Sequence, residues 1–143
     1  MQKTTGTIIV CNLGAYALLK SKVAAEKLVL LEPGESAEVK GAKVTAIESV
    51  HPGRKPLMFI VEVDEVSLFH GSDSGYTSDL EEYRGRAKVA FVPVGRPSPT
   101  ASVEDASEWL GLLDLAPLCP YMAPKRKHHA SKRDFKRNRL MSK

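Results

Sequence analysis

Phe69-His70-Gly71-Ser72-Asp73-Ser74-Gly75-Tyr76 is the stretch on which the reading of this chain turns. It closes an apolar run with small, polar, turn-forming residues. A strand that ends in a Gly-Ser-Asp-Ser-Gly turn holds its carboxylate where the backbone is open, at the C-terminal edge of a sheet. Metal ligands and general bases are often mounted there. Taken alone, the octapeptide is also explained by a plain turn in which Asp73 caps its own backbone. The surrounding segments decide between the two.

Upstream, Leu57-Met-Phe-Ile-Val-Glu-Val63 is apolar on both faces apart from Glu62, and Asp64-Glu65 turns it into Val66-Ser-Leu-Phe69. Downstream, Val89-Ala-Phe-Val-Pro-Val94 is apolar in the same two-sided way. Strands of that kind belong in a sheet covered on both sides. Ser36-Ala-Glu-Val39 and Lys43-Val-Thr-Ala-Ile-Glu-Ser-Val50 alternate instead, which predicts an antiparallel pair half exposed to solvent. Nearer the N-terminus, Thr7–Cys11 reads as a strand and Asn12 as an N-cap. A helix follows over 15–25, its inner face formed by Ala15, Leu18, Leu19, Val23 and the stem of Lys22. Lys27–Leu31 then returns as a strand, a β-α-β opening that implies parallel pairing. A short helix is expected over 78–83. A longer one over 103–113 has Ser102 and Asp105 at capping-box spacing and Val103, Ala106, Trp109, Leu110 and Leu113 turned inward. Leu115–Cys119 reads as a last strand.

In order, the segments Leu31-Leu-Glu-Pro-Gly-Glu-Ser-Ala-Glu-Val-Lys-Gly41, Ala42-Lys-Val-Thr-Ala-Ile-Glu-Ser-Val-His51, the hairpin to Asp73, Ala87–Gly95, Thr100–Trp109 and Leu118–Pro124 form a pattern. It resembles the C-terminal half of a metallo-β-lactamase-fold hydrolase of the ascorbate-6-phosphate-lactonase-like kind, over residues 6–123. In those proteins a "pGes…vkvtavpavH" segment precedes "iyhaGDTg", and a "DvallPiGg" strand, an "edAa" helix and a "viPmHy" strand end follow. The resemblance implies an α/β fold: half of a metallo-β-lactamase-type αββα sandwich, a mixed β-sheet with helices mainly on one face. It also implies that His51 stands at a metal-ligand position and Asp73 at the metal-bridging carboxylate. The departures are specific. The four histidines, at 51, 70, 128 and 129, form no HxHxDH motif. The family's last histidine ligand falls at Met122, a poor ligand for a borderline divalent ion. Hydrolytic zinc takes about three protein ligands, so His51 and Asp73 read as vestigial, with no catalytic residue, no metal and no cofactor expected.

The bulk composition adds a second feature. At 143 residues with 43% apolar content, one core is expected. No apolar run is long enough to span a membrane, and an N-terminus without an apolar signal core predicts a cytoplasmic protein. Cys11 and Cys119 stand apart and read as small buried residues. The scarcity of Asn and Gln leans towards a thermophilic source. The net charge of +4 is unevenly placed. Residues 125–143 carry nine Lys/Arg and a single acid, Asp134, which leaves residues 1–124 net acidic. This predicts a half-domain over 1–124 and a basic C-terminal extension over 125–143 that does not fold by itself.

Lys125, Arg126, Lys127, Lys132, Arg133, Lys136, Arg137, Arg139 and Lys143 are suited to phosphate, and Phe135 among them to base stacking. The resulting expectation is a non-catalytic RNA-binding structural protein, ribosomal or ribosome-associated, a pseudoenzyme holding rRNA through its tail. A protein partner, a second copy or RNA would cover the sheet face that too few helices leave open. Two alternatives stand beside it. One is a subunit of a split metal-dependent hydrolase completed by another chain; the other is a protein-binding adaptor.

Overall fold

In a computed structural model, the structure describes residues 6–95 and 100–115. Two sheets form. The smaller pairs β1 (Ile9–Cys11) with β2 (Leu28–Leu30) in parallel, joined through α1 (Leu13–Leu19) and a 3₁₀ turn at Ala25–Lys27. The larger runs in chain order: β3 (Ser36–Val39), β4 (Ala42–Glu48), β5 (Leu57–Val63), β6 (Val66–His70) and β7 (Val89–Phe91). Its first four strands are an antiparallel meander, and β7 joins β6 in parallel after a 3₁₀ turn at Ser78–Tyr83. α2 (Val103–Leu112) completes the order. The fold is a mixed α/β half-sandwich, as the resemblance implied.

The meander is tight because its turns suit its twist. Lys40 and Gly41 connect β3 to β4 with φ of 52° and 82°. Two left-handed residues match the right-handed twist of the flanking strands. Asp64, at φ 50°, opens the β5–β6 turn that Asp64-Glu65 marks in the sequence.

Register then sorts the side chains. Ile47, Met58, Ile60 and Phe69 point to one face, where Leu80, Trp109 and Leu113 bury them. Phe69 and Trp109 meet edge to face, with ring centroids 6.0 Å apart. α2 carries the capping box expected of Ser102 and Asp105, and its Ala106 and Trp109 are buried. Val103, expected to face inward, is exposed, because it lies in the first turn beyond the edge of the core.

The opposite face corrects three expectations. β4 is not half exposed: Val44, Thr45, Ala46 and Ile47 are all buried. Val44 and Ala46 join Leu57 in a second core, which Leu31 closes and Val10 and Val29 flank. The β1–β2 unit is therefore a cover that helix counting overlooked. It covers only part of the face, however. Cross-strand pairing places Val61, Val63, Val66, Leu68, Val89 and Phe91 on that same face. Of these, Val66 is 62% and Phe91 58% exposed. β7 is thus not buried on both sides as its composition suggested.

α1 is also shorter than expected. Asn12 does cap it, accepting from the Ala15 N–H at 2.8 Å, but it ends at Leu19 and buries no residue. Cys11 is buried as expected, and burial raises its thiol pKa. Cys119, the expected strand beyond Leu115 and the expected boundary at residue 124 lie outside the described residues. Among the described residues no helix is long and apolar enough to cross a membrane.

Trp109 has no exposed surface and fills the gap between α2 and β6. Trp109→Ala should therefore lower the unfolding free energy by about 3–5 kcal/mol. Val66→Ala, on the open face, should change it by less than about 0.5 kcal/mol. Urea unfolding followed by circular dichroism checks both, and similar losses for the two variants would contradict this assignment of the core.

Candidate functional site

β4, β6 and β7 all end at the same edge of the large sheet, and β5 begins there. His51 follows β4 and Asp73 follows β6. An isolated antiparallel bridge between Val50 and Gly75 joins the two segments, with Gly75 N–H donating to Val50 O at 2.8 Å. Ser74 adds a second tie. Its hydroxyl, fully buried, accepts from Val50 N–H at 2.9 Å and donates to Gly75 O at 2.8 Å. The structure thus brings the segment of His51 beside the segment of Asp73, and leaves Asp73 itself exposed.

The Asp73 loop is fixed from several sides. Gly71 N–H donates to Phe91 O at 2.9 Å, and Ser74 O accepts from Ala101 N–H at 3.0 Å. A Cβ at position 71 would lie 2.7 Å from Pro93 Cδ and 3.2 Å from the Trp109 ring, so only glycine fits there. Ser72 holds a left-handed backbone, φ 50°, that an L side chain adopts at some cost. Its hydroxyl offsets this by donating to Leu57 O at 2.7 Å.

The two histidines at this edge are set in opposite tautomers. His51 Nδ1 lies 2.9 Å from Pro52 O. A carbonyl only accepts, so Nδ1 carries the proton and Nε2 presents a lone pair. A backbone carbonyl on the other ring nitrogen is the usual support of a metal-binding histidine. At His70, Ser72 N–H donates to Nδ1 at 3.1 Å. Neutral His70 therefore carries its proton on Nε2 and presents a donor.

His51 and Asp73 do not make a metal centre by themselves. Among the described residues no group of three His, Cys, Asp or Glu side chains could hold a metal ion. A hydrolytic metal takes about three protein ligands. Met122 and the cationic stretch from Lys125 to Lys143 lie outside the described residues. On the side of α2, Tyr76 is drawn to Glu108. Desolvation, followed by the charge of Glu108 and a hydrogen bond to it, raises the phenol above its usual 10.0. Sequence reasoning missed Ser74 and Gly71 as the residues that hold the site. Their smallness was visible, but the strand ends that they contact were not.

The profile of a family described as the beta-lactamase superfamily domain matches residues 1–122. The chain belongs to this family. A relative from Exiguobacterium sp., named a UPF0173 metal-dependent hydrolase, is 34% identical over 68 residues, which is 44% of this chain and 30% of that protein. A candidate metal-dependent hydrolase from Parabacteroides distasonis superposes with a TM-score of 0.62 at 18% identity, covering 73% of this chain and 49% of the other. A candidate Zn-dependent hydrolase of the metallo-beta-lactamase superfamily from Thermotoga maritima gives 0.51 at 25% identity, covering 62% and 45%. The chain therefore spans about half or less of the length of the relatives that it matches.

These relatives correct the functional expectation. The non-catalytic, RNA-binding ribosomal protein and the pseudoenzyme are overturned by a family match and by relatives named as metal-dependent hydrolases. The physical reason for the error is that a run of Lys and Arg reports generic affinity for anions, whereas the family is carried by residues of the body. Inferring a non-enzyme from the missing HxHxDH motif and from Met122 took an incomplete ligand set for a lost activity.

Ser74→Ala should cost about 1 kcal/mol, because it removes the part-buried hydrogen bond from the Val50 N–H. The local effect should exceed the global one. Hydrogen exchange at Val50 and Gly75 should speed up more than exchange in β5, and equal acceleration throughout the sheet would contradict the assigned role.

Proposed function

We propose that this chain is one half of a metal-dependent hydrolase, supplying His51 and Asp73 to a centre whose remaining ligands lie outside the described residues. The observation that carries the reading is the tautomer of His51. Its Nδ1–H is held by Pro52 O at 2.9 Å, and the Nε2 lone pair is left for a ligand. Asp73, exposed on a loop tied to the same strand end, offers the second ligand atom. The bound metal would supply Lewis acidity and an activated water to the hydrolysis.

The open sheet face supports the same reading. β1–β2 is a two-stranded parallel sheet stacked on one part of the larger sheet. Two parallel strands are too few to stand as a finished layer. Strands added to that small sheet would extend over Val63, Val66, Val89 and Phe91 and complete a two-layer sandwich.

Elemental analysis and an ester or phosphodiester hydrolysis assay test the proposal, on full chain isolated together with whatever completes it. Stoichiometric zinc or another divalent metal is expected. Asp73→Ala and His51→Ala should each reduce both metal content and turnover by at least about tenfold. Chain stripped of its complement should retain little metal after gel filtration. Turnover that survives in Asp73→Ala would overturn the assignment.

A further inference from the structure

β6 ends on His70, three residues before Asp73, at the sheet edge that also carries His51. Ser72 N–H donates to its Nδ1 at 3.1 Å. The same link is made by an Asn or Asp whose side chain accepts from the N–H two residues on. An Asn here would shape the loop as well as a histidine does. What the histidine adds is the far end of its ring. Nδ1 is occupied as an acceptor, so neutral His70 holds its proton on Nε2 and can only donate there. The residue is exposed, and Nε2 has no protein partner among the described residues. Phe59 and Phe91 stand opposite His70 on the two neighbouring strands, and opposite residues share a face. The donor is therefore flanked by aromatic surface, where water competes less for its hydrogen bond.

We propose that His70 is an oxyanion-binding residue of this site, its Nε2–H donating to a phosphoryl or carboxylate oxygen of the substrate. A metal ion does not suit it. An Nε2 lone pair would require the proton to move to Nδ1, where it would face the Ser72 N–H. His51 has the opposite arrangement, with its proton on Nδ1 and its lone pair on Nε2. The two rings thus divide the work, one facing a metal and the other an anion. Donor and carboxylate ligand are carried by one loop, and the Ser72 N–H holds the ring to that loop. Placing the oxyanion in a substrate rests on the half-hydrolase reading; the binding of an oxyanion does not.

The test uses full chain isolated together with whatever completes it, with inorganic phosphate and acetate as probes and methylammonium as the control. Long-range ¹H–¹⁵N spectra should find His70 in the Nε2–H tautomer. Calorimetric titration should show saturable binding of phosphate or acetate and none of methylammonium, and the tighter probe names the anionic group. His70→Asn keeps an acceptor for the Ser72 N–H and removes the donor. It should leave the melting temperature and the metal content as they are. Binding should weaken about tenfold, the loss of one hydrogen bond to a charged acceptor. His70→Gln should recover most of that affinity, because its amide again supplies N–H donors. The proposal is overturned if His70 holds its proton on Nδ1, if neither anion binds, or if His70→Asn binds both as the wild type does. Loss of metal from His70→Asn would make His70 a ligand and overturn it as well. Absence of metal or turnover in the wild type strikes the half-hydrolase reading alone, because tautomer and anion affinity are read without either.

Discussion

The structure depends on a sheet that is apolar on both faces and receives a full cover on only one. β5 shows this within a single strand. Met58 and Ile60 enter the core beneath α2, while Phe59 and Val61 pack towards the second core. An antiparallel register allows no compromise here, since a slip of one residue would exchange the two sets. The Phe69–Trp109 contact fixes the covered face, and the β1–β2 unit begins a second layer on the other. On the open part of that second face, Val63, Val66, Val89 and Phe91 are exposed among the described residues.

The edge where the site lies follows from the same constraint. With β4 and β6 running in one direction and β7 parallel to β6, three strand ends reach one edge together. Loops placed there can be tied to each other, and the Val50–Gly75 bridge with the Ser74 hydroxyl does so. Asp73 owes its exposure to a loop whose other residues are held: Gly71 against Pro93 and Trp109, Ser72 through Leu57, and Ser74 through Val50 and Ala101. A rigid support for a projecting carboxylate is what a preorganised ligand requires.

Much of this was legible in the residues. The two-sided composition of Leu57–Val63, the turn at Asp64-Glu65 and the capping box at Ser102 and Asp105 each led to the right element. The ordering of Glu-Pro-Gly, His51 and Asp73 led to the family. The burial of β4 was not legible, because alternation in Lys43–Val50 hides the fact that small residues such as Ala46 pack as fully as large ones. Nor was the cover supplied by β1–β2, since its strands are three residues long and their contacts with Val44 and Leu57 are distant in sequence. The site was half legible. Residue type and position indicated His51 and Asp73, but the tautomer of His51 depends on a carbonyl one residue away. The error over function came from reading charge density as purpose.

The turns of the meander have a consequence for the order of folding. β3, β4, β5 and β6 are neighbours in sequence as well as in space, and two of their three links are two residues long. Closing such loops costs little chain entropy, and hairpins form within microseconds. β7 and α2 must come from farther along the chain. The meander is therefore the natural nucleus. Its early formation gives the later strands a surface on which to assemble, before any ligand pair has been brought together.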